Sequence, residues 1–176
     1  MSKNVLLISV ATLKARTAVH TNVDDKLLLP EIKTAQDLEI EPALGTALKI
    51  RLQEGIEADN LSADEQTLLD DYITDALCYF VLASLPVATS FQFFTKGVIK
   101  PTGENVENSS MSDLVEVSQE YTKKAEHYRE RLIRYLQVNS STFTQYAYDS
   151  DNDINPSDSG YSIQCYLPDD DDRECI

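Results

Sequence analysis

Residue types that do chemistry are scarce in this sequence. It holds two histidines, His20 and His127, and three cysteines, Cys78, Cys165 and Cys175, in 176 residues. No Ser or Cys has an evident His/Asp partner set, so nothing in the sequence favours a nucleophilic triad. His20 falls in a turn. His127 lies among Lys124, Arg129 and Arg131 on a polar helix face and reads as a surface residue. Cys78 lies within a long helical pattern and reads as a small core residue. Cys165 and Cys175 lack C-x-x-C spacing, which argues against a zinc site or a disulfide framework. No catalytic, cofactor-binding or metal-binding set is therefore expected. Long apolar runs are lacking too: only VLLISVA separates the N-terminal lysine and asparagine from Thr12 and Lys14. That argues against a signal peptide and a bilayer-spanning segment, and for a soluble protein made in a cytoplasm.

Positive charge is the next shortage. Fifteen Lys and Arg face 30 Asp and Glu, for a net charge of −15. Residues 1–139 carry −7 of this and residues 140–176 carry −8. Such a balance disfavours binding to nucleic-acid phosphates, which needs clustered cations. It suits solubility, repulsion from DNA, or docking on a basic partner. The one basic cluster, Lys123, Lys124, Arg129, Arg131 and Arg134, is interleaved with Glu120, Glu126 and Glu130. It reads as an exposed, self-paired helix face ahead of a nucleic-acid patch, with a salt-bridged subunit contact as the third reading. Asp149-x-Asp151-x-Asp153 has the start of a calcium loop. Ile154 stands where the loop needs Gly and Gly160 where it needs Glu, so it reads as a solvated acidic linker.

What the chain does have is helical periodicity. Residues 62–85 carry Leu68, Leu69, Tyr72, Ile73, Ala76, Leu77, Phe80, Val81 and Leu85 at i, i+3, i+4 spacing. Ser62 and Glu65 form a capping box at the start, Asp70, Asp71, Thr74 and Asp75 take the polar side, and Pro86 is expected to stop the helix. Before it, Ser9 caps a short helix, preceded by an extended arm or short strand at Val5–Ile8. His20–Asn22 forms a turn. Asp24 caps a helix over 25–40 with Leu28, Ile32 and Ala35 on one face, in which Pro30 makes a kink or marks the true first turn. Glu41-Pro42 ends that helix and starts one over 42–54, stopped by Gly55. After it, a second long helix spans 113–138, capped by Ser112, with Glu116 one residue past the capping-box position. Its stripe is Leu114, Val117, Tyr121, Ala125, Tyr128, Leu132 and Tyr135/Leu136. Glu120–Lys124 and Glu130–Arg134 are i, i+4 pairs worth about 0.3 kcal/mol each.

Between the long helices the period changes. Phe91, Phe93 and Thr95 alternate with Gln92, Phe94 and Lys96, Lys96-Gly97 can turn, and Val98–Lys100 can return, giving a small hairpin or an extended loop. Three aromatics on such a protrusion, Phe91, Phe93 and Phe94, suit covering a neighbour, with Lys96 and Val98 beside them. From Asn139 the helical period ends. The tail is polar and acidic, which favours ordering on a partner. Within it, GYSIQCYLP alternates apolar and polar residues, so Tyr161, Ile163 and Tyr166 can add to a partner's sheet edge. The fold class is thus mostly α. Two long antiparallel helices and shorter ones form a small bundle over 1–139, with a protruding β-hairpin or loop and an extended acidic tail over 140–176.

Several stretches of the body are similar to one family. DDKLLLPEIKTAQ, EPALGTAL, LSADEQTLLDDYITDALCYFVLASLP, and FQFFTKGV followed by SMSDLV resemble head-to-tail connector (adaptor, or ring) proteins of tailed bacteriophages, most like those of crAss-like phages. The likeness covers residues 5–138, through packing signatures and no catalytic motif. It implies a structural virion protein without enzymatic activity, assembled in the host cytoplasm. It further implies a homo-oligomeric ring, typically of twelve copies, between the portal protein and other ring or tail proteins, through which genomic DNA passes without specific binding. The alternative from another class is a small acidic interaction module or inhibitor docking on a basic partner.

Overall fold

The computed structural model describes residues 5–90, 92–94, 97–99 and 110–157, with side chains for all of these except the two short strands. The described chain is mostly helical. In order it has α1 (Val10–Arg16), α2 (Asp25–Ala35), α3 (Glu41–Leu44), α4 (Thr46–Glu57), α5 (Ala63–Leu68), α6 (Thr74–Ser90), strands β1 (Gln92–Phe94) and β2 (Gly97–Ile99), and α7 (Met111–Val138). Two π turns, Gln36–Ile40 and Leu69–Ile73, join α2 to α3 and α5 to α6.

The helix starts follow capping chemistry. Ser9 Oγ accepts from Thr12 N at 3.0 Å, and Asp24 Oδ1 from Lys26 N at 3.0 Å. Each satisfies an amide that the first turn leaves without a partner. Ser62 and Glu65 form a reciprocal box, with Glu65 N donating to Ser62 Oγ at 3.2 Å and Ser62 N to Glu65 Oε2 at 2.8 Å. The second long helix starts two residues earlier than expected, with Ser110 rather than Ser112 as the cap. Asp113 N donates to Ser110 Oγ and Ser110 N to Asp113 Oδ2. A box needs its acid three residues past the cap, a spacing that Ser110–Asp113 has and Ser112–Glu116 lacks.

The helix ends depart from expectation more than the starts. Pro86 does not stop α6, which continues to Ser90. Thr89 Oγ1 donates to Leu85 O at 2.7 Å, and Ser90 Oγ to Pro86 O. The helix from Ala63 to Ser90 is therefore 28 residues, long and apolar enough to cross a membrane by length and composition. Within its most apolar window, 56% is buried against the rest of the chain. Glu41-Pro42 makes no break either: α3 runs through Pro42, and the chain bends at Gly45, where φ is +78°. Gly55 lies inside α4, where a Cβ would sit 2.4 Å from Leu61 Cδ2, so its bareness makes room for that side chain. Pro30 lies inside α2 as its sixth residue.

The π turns explain why the pattern of buried residues shifts. A π turn adds one residue to a turn, which rotates the rest of the helix by about 100°. In an unbroken α-helix Ile40 would leave the stripe of Leu28, Ile32 and Ala35. The extra residue brings Ile40 to full burial and leaves Leu38 65% exposed. The second π turn buries Thr74, expected on the polar side, and its hydroxyl donates to Leu69 O at 2.7 Å. A proline two residues beyond the first turn is a sufficient cause for it: Pro42 cannot donate, and its ring crowds the carbonyl four residues back.

The core centres on α6, whose residues Leu77, Phe80, Val81 and Leu85 are buried on several sides. Tyr72 stacks on Tyr135 with centroids 4.0 Å apart, Tyr79 on Tyr128 at 5.1 Å, and Ser118 Oγ donates to Ala83 O at 2.7 Å. Rising numbers on one helix meet falling numbers on the other, so α6 and α7 run in opposite directions. Beyond α7, Phe143 and Tyr146 are buried in the same core, and Tyr135 and Phe143 lie 6.1 Å apart.

Candidate interaction surface

α7 has two unlike halves. Ala125, Leu132, Ile133 and Leu136 are buried, whereas no residue of 111–124 is. Val117, placed on the buried stripe by periodicity, is 45% exposed, and Met111 and Val115 are exposed with it. Ser118, one residue on, makes the contact to α6 instead. Val87 near the end of α6 is exposed as well. This outer end carries β1 and β2, paired antiparallel with Gln92 opposite Ile99, Phe93 opposite Val98 and Phe94 opposite Gly97. The backbones of Phe93, Phe94 and Val98 thus lie at the end of the α6–α7 pair. Phe91, Lys96, Tyr161, Ile163 and Tyr166 lie outside the described residues.

Two clefts flank the α6–α7 pair. One, of about 330 Å3, lies between the α1–α2 turn and α6, with Val19, Val23, Leu85, Pro86 and Tyr121 among its walls. The other, of about 270 Å3, has Phe80 and Ala83 at α6, Ala35 and Leu38 on the α2 side, and Ser118 and Thr122 on α7. Sequence periodicity gives no sign of the second cleft, because its walls come from three helices far apart in the chain. Glu126 borders it and pairs with Arg129, which also reaches Glu39 Oε2 at 3.0 Å. Burial pushes the Glu126 carboxyl upward, and Glu39 and Glu130 add to this against the pull of Arg129.

Several basic residues of α7 are engaged, with partners other than those expected. Lys123 bridges Glu120 at 2.6 Å, three residues back, while Lys124 lies over the Tyr121 ring at 5.2 Å. Arg131 covers the Tyr72 ring at 4.7 Å. His127 is exposed and meets Tyr128 edge-on; His20 Nδ1 accepts from Asn22 N. Cys78 is buried in α6, and burial, with Asp75 adding, pushes its thiol up to about 11, so it stays protonated and inert. Among the described residues no cluster of three or more His, Cys, Asp or Glu is arranged to hold a metal. Asp149 Oδ1 accepts from Asp151 N at 3.0 Å, a local turn contact.

The corner between α3 and α4 holds the chain beyond α7. Ile154 O accepts from Thr46 N at 2.9 Å, Ile154 N donates to Thr46 Oγ1 at 2.9 Å, and Ser157 N donates to Pro42 O at 2.8 Å. Pro156 packs so closely that a Cβ on Gly45 would lie 2.8 Å from its Cδ. Beneath this corner, Lys49 is 6% exposed and donates to Asp37 Oδ1 at 2.7 Å and to Glu41, while Lys33 takes the other Asp37 oxygen. The N-terminal arm is tied in by two buried glutamines. Leu7 N donates to Gln36 Oε1 at 2.8 Å, and Gln53 Nε2 donates to Val5 O at 2.7 Å.

The described surface thus combines exposed apolar side chains, the two clefts and a clasped chain end. The model of a family of unknown function (DUF6712) matches residues 40–156, and the chain belongs to that family. The match starts in the first π turn and ends at Pro156, so it takes in the chain that packs on the α3–α4 corner. No curated protein and no solved structure matches the chain.

Proposed function

We propose that this protein is a structural subunit of the head-to-tail connector of a tailed phage, a non-enzymatic ring component between portal and tail. The observation that carries the reading is the outer end of the α6–α7 pair, where Val87, Met111, Val115 and Val117 are exposed and between whose helices the paired strands lie in the chain. Exposed apolar residues at the end of a helix pair suit burial against another chain. In this reading the two long helices and their neighbours form the bundle of the subunit, and the hairpin protrudes to a neighbouring subunit or the portal. Residues 158–176 pass to another ring or tail protein.

The excess of acid supports the same reading. A conduit walled by acidic subunits repels phosphates, so the genome slides through without specific binding. A heterologous contact that closes on itself builds a ring from a protomer of this size, with twelve copies as the expected number. The test is electron microscopy of the virion, or of the protein co-expressed with the portal of the same phage. A closed ring on the tail-side face of the portal is the expected result and gives the copy number. A monomer that never enters virions overturns the reading and favours an acidic interaction module.

A further inference from the structure

We infer that the cleft beside Leu38 is the seat of the chain's own segment Tyr161–Leu167. The inference does not need the ring, and it replaces one part of that reading: residues 161–167 stay on their own chain, and only the acidic run from Asp169 is left to reach a neighbour. It starts from where the described chain ends. Ser157 is hydrogen-bonded to Pro42, and Pro156 is wedged against Gly45, so the remaining 19 residues start from a fixed point at the α3–α4 corner. Leu38 stands one helical turn before Pro42, about 6 Å along the axis. The cleft then leads away from the corner, bounded by Leu38 and Ala35 on one side and by Thr122 and Ser118 on the other.

An extended chain advances about 3.3 Å per residue, so the four residues 158–161 can span about 13 Å, more than the helical turn between Pro42 and Leu38. From Tyr161 the sequence is YSIQCYL, with no charge, between Asp158 and the acidic run that starts at Asp169. An uncharged segment suits this cleft, because the two acids on its border, Glu39 and Glu126, are both engaged by Arg129. Alternation lets Tyr161, Ile163 and Cys165 share one side of an extended segment, the side that would cover exposed Leu38, while Ser162 and Gln164 take the other. A tether this short holds the segment at high effective concentration, which favours the cleft of its own chain over that of a second copy. The other cleft is walled by the α1–α2 turn, the end of α6 and Tyr121, with no residue of 34–42 among its walls.

Hydrogen exchange read by mass spectrometry tests this on dilute full-length protein and on a chain ending at Ser157. Ending the chain there should speed exchange at least threefold in residues 34–39 and 118–126 and leave 69–77 unchanged. A synthetic peptide of residues 159–168 should restore the slow rates. Equal rates in both chains overturn the inference. Protection in the full chain that fades on dilution assigns the cleft to a second copy and overturns it as well. Should the shortened chain lose protection everywhere, full-length Leu38→Asp decides, since Leu38 is too exposed for the fold to depend on it. Selective loss around the cleft supports the inference, and no change overturns it.

Discussion

The two halves of α7 carry the same helical spacing and have different fates. From Ala125 to Leu136 the stripe is buried against α6, the α3 region and Phe143. From Met111 to Lys124 nothing is buried, although Leu114, Val117 and Tyr121 continue the spacing. Periodicity states which residues a helix can bury. Whether it buries them depends on what lies opposite, and among the described residues the outer half of α7 meets the end of α6 and is separated from the α1–α2 turn and α2 by open clefts. The contrast is sharpest in the free protein. Phe143→Ala and Leu132→Ala, both at the covered end, should cost about 3–5 and 2–5 kcal/mol in urea unfolding followed by circular dichroism. Costs below about 1 kcal/mol would mean that the covered half is no better packed than the bare one.

The α3–α4 corner buries an ion cluster where the rest of the core buries mainly apolar side chains. Lys49→Ala leaves Asp37 with Lys33 alone and Glu41, 13% exposed, without its cation, a loss of about 1–3 kcal/mol. Lys49→Met, which keeps the length of the side chain, should lose nearly as much. Asp37 also sets a pH dependence. Burial raises its carboxyl, but hydrogen bonds from Lys33 and Lys49 and their charges outweigh this, so it lies below the usual range. A lowered carboxyl contributes stability above its unfolded value near 3.9 and loses it as the pH falls further. Lys49 is raised despite burial, through its bonds to Asp37 and Glu41. Its contribution is complete below about 10.4 and is lost as the pH rises beyond that. The unfolding midpoint of Asp37→Asn should therefore vary less with pH on the acid side than that of the natural chain. Equal acid slopes would remove Asp37 from the account.

Gly45 tests the clasp alone. Gly45→Ala meets both a positive φ and Pro156 at 2.8 Å, so a loss of about 1–3 kcal/mol is expected. The same change in a chain ending at Asp153 is not an equivalent test, because Ile154 and Ser157 also hold Thr46 and Pro42. Pro156→Ala separates the two causes: it should recover part of the loss in Gly45→Ala and leave the part due to backbone strain.

Local signals were legible in the sequence wherever a few neighbouring residues decide the outcome. Ser9, Asp24 and Ser62 cap their helices because a cap needs only a side chain and an amide two or three residues on. The stripe Leu28, Ile32 and Ala35 is buried as the spacing indicates. What sequence reasoning missed depends on distant partners. Pro86 and Gly55 read as stops, yet α6 runs on to Ser90, where the Thr89 and Ser90 hydroxyls bond back to the preceding turn, and Gly55 lies inside α4 beneath Leu61. The role of Gly45 depends on Pro156, more than a hundred residues away. The π turns were invisible because their sign is a shift in phase, seen only when Ile40 and Thr74 are found inside and Leu38 outside. Phe143 and Tyr146 stand in a polar stretch without period, where two aromatics carry no pattern that separates core from tail.

The smallest effect is expected at the bare half of α7. Val117→Ser and Val115→Ser change exposed positions with no caps, strain or buried partners, so the free protein should lose no more than about 0.5 kcal/mol. Exposed Lys123, paired only with Glu120 on the surface, should be neutral when changed to Ala. The two classes part company in assembly. If the outer end of the α6–α7 pair is covered by another chain, serine at 115 and 117 exposes a hydroxyl where apolar area is to be buried, and assembly weakens although folding does not. Lys123→Ala leaves assembly unchanged. Size-exclusion chromatography with light scattering, on protein co-expressed with the portal, reads this directly. Serine variants that fold and assemble like the natural chain would show that the bare half is bare in the particle too, and the contact would then have to be sought at the clefts.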